Sequence, residues 1–181
     1  MTAVEETEID PDPVWTDYAI NDAFDRVSQG GYEINAFFDH DWKPLTALDI
    51  ERGRQLLAWS RADLLATLSD LTPQQWAIKL AGERWDIAGI VNHIGGAEWW
   101  YLDRLRLAFP RTELPEEPLP RLQKVRTMLN EQLPTFVEIN RVVGKDGEFW
   151  SPRKLLRRAL WHERDHTAHI HQILQTVRGR S

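Results

Sequence analysis

The sequence predicts an all-α protein, a four-helix bundle with a short irregular N-terminal extension. Four segments repeat apolar residues at the period of an amphipathic helix, and each is about twenty residues long or more. A proline-rich stretch at 110–120 separates the second segment from the third, as a long crossover in a bundle would. The chain has 181 residues, which suits one domain. We divide it into an extension at 1–45, expected to be partly disordered, and a bundle at 46–178.

The N-terminal extension gives mixed signals. Residues 1–13 are acidic and punctuated by proline, so we expect them to be disordered. Residues 32–38 largely alternate between apolar and polar side chains after the Gly30-Gly31 turn, which is consistent with a short edge strand. The run Asp39-His40-Asp41 contains cation-ligating groups, but we interpret it as an ordinary polar loop before a Trp-Lys-Pro turn.

The first helix is predicted over 46–68 and the second over about 86–109. Thr46 is a suitable N-cap for the first, with Asp49 at the position where a capping box carries Glu or Gln. A short helical turn is expected at 72–76, between the two long helices.

The third helix is predicted over about 121–143 and the fourth over 151–177. Pro134 lies inside the apolar pattern of the third and is expected to kink it, because proline removes a backbone donor. The fourth begins with Ser151 as N-cap and Pro152 at the first helical position, where proline is tolerated.

Three histidines of the fourth predicted helix share one face. His162, His166 and His169 are spaced i, i+4 and i+7, so they lie within about 60° of one another, beside the apolar stripe. A single inward histidine is most often a core residue satisfied by hydrogen bonds. Three such rings repel when charged and need partners when neutral, and a divalent metal ion removes both problems. The spacing favours a metal site, and His171 is expected to be exposed.

The second predicted helix carries one inward histidine, His93, which taken alone we interpret as a core residue. Gly95 and Gly96 follow it, and small residues there suit a close helix approach or a pocket. Trp100 and Arg104 lie on the same face and are candidates for binding the body of a substrate. Plain core packing is the alternative for Trp100.

Composition excludes several classes of protein. The net charge is −6 and no basic patch is interleaved with aromatic residues, so nucleic acid is not an expected partner. No apolar stretch reaches transmembrane length, and we do not expect the acidic start to act as a signal peptide. The absence of cysteine excludes disulfides and a cysteine nucleophile and suits a cytoplasmic location.

Two motifs together resemble those of the DinB/YfiT-like family. RWDIAGIVNHIGGAEWWYLDRL lies on the second predicted helix and LWHERDHTAHIHQI on the fourth. The resemblance covers about Thr46 to Val177 and implies a four-helix bundle of the up-down-down-up type around a divalent metal. The run His169-Ile170-His171-Gln172 stands where many DinB relatives have an H-R-G-Q type ending, which makes the chain more similar to the YfiT branch.

The resemblance implies a set of metal ligands. The Trp85-x7-His93 pattern makes His93 the ligand from the second helix, which reverses the interpretation of that residue taken alone. The W-H-x3-H pattern makes His162 and His166 the pair from the fourth helix. His169 would support these ligands or replace one of them. Asp165 would orient a ligand histidine or move a proton, unless it is a solvated rim residue.

The resemblance also bears on chemistry. Three imidazoles leave a divalent ion, zinc or nickel, with an open position, which is typical of a catalytic site. Family members include hydrolases and transferases of low-molecular-weight thiols, so metal-bound water or the thiolate of a cosubstrate would attack a small molecule. Family members often form homodimers. In the mycothiol-dependent maleylpyruvate isomerases one ligand is a glutamate, but Glu163 is one residue off any ligand position, so that activity is not implied.

Two other hypotheses remain from the sequence. One is a non-catalytic metal-binding bundle, a stress or regulatory protein whose metal stabilises the fold. The other is a bundle without metal, whose histidines are purely structural. No catalytic side chain is assigned from the sequence.

Overall fold

The computed structural model describes the backbone of residues 7–9 and the whole of residues 35–179. The helices are α1 Ala47–Leu68, α2 Pro73–Trp76, α3 Ile87–Arg104, α4 Pro118–Gln132 and α5 Pro152–Arg178. The strands are β1 Thr7–Ile9, β2 Val142–Lys145 and β3 Glu148–Trp150. Single 3-10 turns lie at Asp39–Trp42, Arg111–Glu113 and Leu133–Phe136.

The predicted all-α bundle is confirmed, and the four long helices α1, α3, α4 and α5 form it. α3 packs against both α4 and α5, and α5 also packs against α1. The core has two apolar clusters. The first surrounds the fully buried Trp150 and the second surrounds Ile90 and Ile173. Burial of these side chains is the main stabilising contribution to such a fold.

The predicted helix starts at Thr46 and Ser151 are confirmed by their caps. The Thr46 hydroxyl accepts from the backbone N–H of Asp49 at 3.1 Å, and the Asp49 carboxylate accepts from the N–H of Thr46 at 3.0 Å. The Ser151 hydroxyl accepts from the N–H of Lys154 at 3.1 Å. These bonds satisfy backbone donors that the first turn of a helix leaves free.

The predicted third helix, 121–143, was wrong at both ends. The helix starts at Pro118 and ends at Gln132, because Pro134 forces the chain into a 3-10 turn. The residues beyond it form the hairpin of β2 and β3. Its two-residue turn, Asp146-Gly147, has positive φ values of 51° and 80°, as a primed hairpin turn requires. Asp-Gly between two apolar segments is a hairpin signal that is present in the sequence.

Two further expectations also need correction. α3 ends at Arg104 rather than Phe109, and Arg106 there has a positive φ of 59° that breaks the helix. Within the segment expected to be disordered, Thr7–Ile9 form β1, which pairs with β2 so that Ile9 lies opposite Val142. The rest of 1–13 lies outside the described residues.

Asp39-His40-Asp41, interpreted as an ordinary polar loop, lies in the 3-10 turn Asp39–Trp42. The Asp41 carboxylate is buried and accepts two hydrogen bonds from Arg157 of α5, at 3.1 and 2.6 Å. This pair fastens the segment to the bundle instead of leaving the carboxylate free for a cation. Of the edge strand expected at 32–38, residues 32–34 lie outside the described part and 35–38 have no regular structure.

Among residues 7–9 and 35–179, no helix is both long enough and apolar enough to cross a membrane.

Candidate metal centre

Three histidine side chains from two helices converge on one point inside the bundle. Nε2 of His162 lies 3.1 Å from Nε2 of His93 and 3.1 Å from Nε2 of His166. One ligand atom from each of the three residues can be chosen so that all lie within 4.8 Å of one another. Nitrogens on a tetrahedral zinc, at about 2.0–2.1 Å from the metal, are about 3.3 Å apart. The cluster therefore has the dimensions of a three-histidine metal site.

Hydrogen bonding alone does not account for this arrangement. A neutral imidazole Nε2 carries either one proton or one lone pair, so it can donate one hydrogen bond or accept one. Nε2 of His162 makes two close contacts and can satisfy only one of them. Nδ1 of His166 is also buried, and no residue of the described chain bonds to it. A metal ion between the rings would use all three lone pairs at once, so the residues fit such an ion.

The surroundings of the cluster favour neutral imidazoles. Burial, with smaller contributions from the neighbouring His166 and Arg84, lowers the pKa of His93 to about 4. Burial lowers the pKa of His162 to about 3, with contributions from His166, His93 and Arg158. The pKa of His166 is also lowered, mainly by burial. All three rings are therefore neutral near pH 7, which is the form that binds a metal.

Local structure orients the side chain of His93. Asp86 caps α3, with its carboxylate accepting from the N–H of Gly89 at 2.7 Å, and so fixes where the helix begins. Trp85, just before the cap, stacks on the His93 ring with centroids 4.6 Å apart and an interplanar angle of 25°. The Arg84 guanidinium also lies over the Trp85 ring, 4.4 Å from its centroid. This stack restricts the orientation of the His93 ring.

A buried ion network holds the four helices together beside the histidines. Arg126 of α4 donates two 2.8 Å hydrogen bonds to Glu98 of α3 and one of 3.1 Å to Glu163 of α5. Arg61 of α1 donates to Glu163 at 2.8 Å. Two guanidinium groups and two carboxylates balance in charge, as buried ions must. Because Glu163 follows His162, the network fixes α5 at the level of the cluster.

Two cavities border the histidines. One, of about 490 Å³, lies between α3 and the start of α4 and is lined by His93, Trp99, Trp100 and Arg121 among others. The other, of about 360 Å³, lies between α3 and α5 and is lined by both His93 and His162. Each is of a size that suits a small ligand. The described residues thus leave space beside His93 and His162.

The structure places His169 and Asp165 away from the convergence point. Nε2 of His169 lies 3.0 Å from the Glu83 carboxylate, and the ring is centred 6.3 Å from that of His166. Asp165 is exposed and lines a different cavity of about 940 Å³ between α1 and α5. His171 is exposed, as expected, and contacts the Thr67 hydroxyl at 2.9 Å.

Trp100 and Arg104 have different positions relative to the cavities. Trp100 lines both cavities beside His93. Arg104 lines neither of them, because its guanidinium pairs with Asp103 and Asp146 and covers the Trp100 ring at 4.6 Å. Arg104 therefore links α3 to the hairpin turn through Asp146 and packs against the Trp100 ring.

Sequence reasoning missed several residues around the site. Glu98, Arg126 and Glu163 are charged residues at core-facing helix positions, a pattern that signals a buried ion network. Tyr101 and Arg158 line the cavity beside His162. Arg158 precedes His162 by four residues, so the helical period alone places both on one face of α5.

The fold and the site together define the class of protein: a helical bundle with a candidate three-histidine metal site between two of its helices. Residues 56–170 match the family model of the DinB superfamily, and the chain belongs to that superfamily. No curated protein and no solved structure gives a significant match.

Proposed function

We propose that the protein is a metal-dependent enzyme in which His93, His162 and His166 bind one divalent ion, zinc or nickel. The reaction would be hydrolysis of a small molecule or transfer of a low-molecular-weight thiol to it. The observation that carries this proposal is the position of His162 Nε2, 3.1 Å from both neighbouring Nε2 atoms. Membership of the DinB superfamily supports it as well.

The donor set suits either metal. Three neutral imidazoles bind zinc and nickel alike, so the ligands do not select between them. When bound, such an ion supplies Lewis acidity that lowers the pKa of water or of a thiol and yields a nucleophile near neutral pH. Since the chain has no cysteine, any thiol must come from a cosubstrate.

The surroundings of the cluster favour a catalytic over a purely structural metal. A structural site is usually closed by a fourth protein ligand. The residue best placed in sequence to close it, His169, contacts Glu83 instead. The cavities of about 490 and 360 Å³ that border His93 leave room for a small substrate. A non-catalytic bundle would need neither cavity.

Elemental analysis of protein purified without an affinity tag or chelator tests the ligand set. We expect about one equivalent of zinc or nickel in the wild type and none in His93→Ala, because two ligands bind a divalent ion much more weakly than three. His171→Ala is the matched control, since His171 is exposed on α5 and lies outside the cluster. It should retain the metal.

A wild type that takes up no metal, even after incubation with zinc and with nickel, would contradict the proposal. Retention of metal by His93→Ala would instead show that α3 contributes no ligand. If metal is present, hydrolysis and thiol-transfer assays on the loaded protein separate the two reactions, because only the second requires an added thiol.

A further inference from the structure

Among the residues that the structure describes, Arg158 has no carboxylate partner, and it lies beside the histidine cluster. Five other arginines of the described chain form ion pairs with carboxylates: Arg61, Arg104, Arg126, Arg153 and Arg157. Between residues 35 and 179, no carboxylate lies within ion-pair distance of Arg158, and its Nε is buried without a hydrogen-bond partner. Its guanidinium contacts neutral groups of the described chain: the Tyr101 hydroxyl and the rings of Tyr101 and Trp161. A half-buried guanidinium with an unused donor and no carboxylate there to balance its charge favours binding of an anion.

The unpaired charge borders the cavity that reaches the cluster. Arg158 and His162 are one turn apart on α5 and line the same cavity of about 360 Å³. The Tyr101 hydroxyl, from α3, lies 3.5 Å from Nη2 of Arg158. The Tyr101 ring is centred 6.0 Å from that of His162. A single small molecule could therefore contact Arg158 and Tyr101 with an anionic group and reach the histidines with its other end.

We propose that Arg158 and Tyr101 form a carboxylate-binding subsite, so that the substrate carries a carboxylate next to an apolar or aromatic body. The guanidinium fork and a phenolic hydroxyl match the two oxygens of a carboxylate. Trp100 and Tyr101 line the same cavity, and their aromatic side chains suit an apolar body. This inference rests on the proposed function, because it names the substrate class of the same site.

The subsite can be tested with phenylacetate as probe and phenylacetamide as its uncharged analogue. Isothermal titration up to millimolar ligand is carried out on zinc-loaded and on chelator-treated protein. We expect the acid to bind the wild type at least about tenfold more tightly than the amide in both forms. Hydrogen bonds to a charged group are stronger than those to a neutral group, and the difference corresponds to about tenfold in affinity. Arg158→Gln should remove this preference, and Tyr101→Phe should reduce it.

Two further variants act as controls. Arg158→Lys keeps the charge but not the fork, so it should retain part of the preference. Arg164→Gln removes a charge from the same helix, at an exposed position that lines other cavities, and should bind as the wild type does. Circular dichroism of each variant verifies that it is folded.

The outcomes separate this inference from the proposed function. If no metal binds but chelator-treated protein still prefers the acid through Arg158, the subsite stands and the metal proposal fails. If acid binding disappears on chelation and is unchanged in Arg158→Gln, the carboxylate binds the metal and the subsite is wrong. Equal binding of acid and amide to the wild type, or binding of neither, would also overturn the subsite.

Discussion

Arg126 on α4 donates a 3.1 Å hydrogen bond to Glu163, the residue that follows His162 on α5. The side chains of His162 and Glu163 leave α5 in different directions, one to the histidine cluster and the other to the ion network. Glu163 is only 1% exposed. The position of the candidate ligand is therefore coupled to ion pairs that reach α1, α3 and α4.

Removing Arg126 should destabilise the protein strongly. Arg126→Met would leave the carboxylates of Glu98 and Glu163 in the core with Arg61 as their one remaining ion-pair partner among the described residues, at an expected cost of about 3–5 kcal/mol. Urea unfolding of chelator-treated protein measures this loss. Lys124→Met is the matched control on the same helix, because Lys124 forms an exposed pair with Glu113 that should contribute at most about 1 kcal/mol. Similar losses in both variants would contradict a stabilising role for the network.

Gly53 allows the close approach of α1 to α5. A Cβ at this position would lie 2.6 Å from Cδ2 of the buried Leu156. We expect Gly53→Ala to cost about 1–2 kcal/mol net, because the overpacking outweighs the better helix propensity of alanine. Gly96 of α3 is the control, since a Cβ there meets nothing nearer than Arg121 at 3.8 Å. Gly96→Ala should be neutral or stabilising by up to about 1 kcal/mol. Thermal and urea unfolding of both variants provide the comparison.

Lys154 predicts a pH dependence of stability. Its side chain is fully buried, and its Nζ donates hydrogen bonds of 2.7 Å to the carbonyls of Asn35 and Phe149. Burial lowers the pKa of Lys154 from 10.5 to about 7, although the carboxylate of Glu148 raises it in part. Between these two pH values the unfolded chain binds one more proton than the folded one at this residue. Its contribution to stability therefore rises with pH across the window and is lost as the pH falls to 7.

The measurement is the free energy of unfolding of wild type and Lys154→Met from pH 7 to pH 10. The difference between the two proteins isolates Lys154 from other titrating groups. As the pH rises, we expect the free energy of unfolding of the wild type to increase relative to that of the variant by up to about 1 kcal/mol per pH unit. Parallel pH profiles would mean that Lys154 stays charged in the folded protein.

A double substitution tests whether the metal is structural. His162→Ala with His166→Ala removes two of the three candidate ligands, and elemental analysis should find no metal in this variant. We expect its thermal midpoint to remain close to that of chelator-treated wild type, because both apolar clusters of the core are formed without the histidines. A large fall in the midpoint of wild type on chelation alone would instead indicate that the metal holds the fold together, as in the non-catalytic hypothesis.

Much of the fold could be predicted from local patterns. The caps at Thr46 and Ser151 and the apolar period of the helices depend on neighbours within a few residues, so the sequence indicates them directly. The ends of the third predicted helix were predicted less accurately. There the apolar period continued past Pro134, and the local signals of proline and of Asp146-Gly147 outweighed it.

By itself, the sequence determined that the chain forms a four-helix bundle and that His162 and His166 share one face of a helix, because helical geometry sets both. The resemblance of the sequence motifs implied that His93 joins this pair, but helical geometry did not, because α3 and α5 meet through packing between residues far apart in the chain. Only the tertiary structure decided that His169 contacts Glu83, and that Arg158 is left unpaired by the described residues beside a cavity. Both outcomes depend on which side chains of neighbouring helices lie opposite His169 and Arg158. The periodic pattern of a single helix does not contain that information.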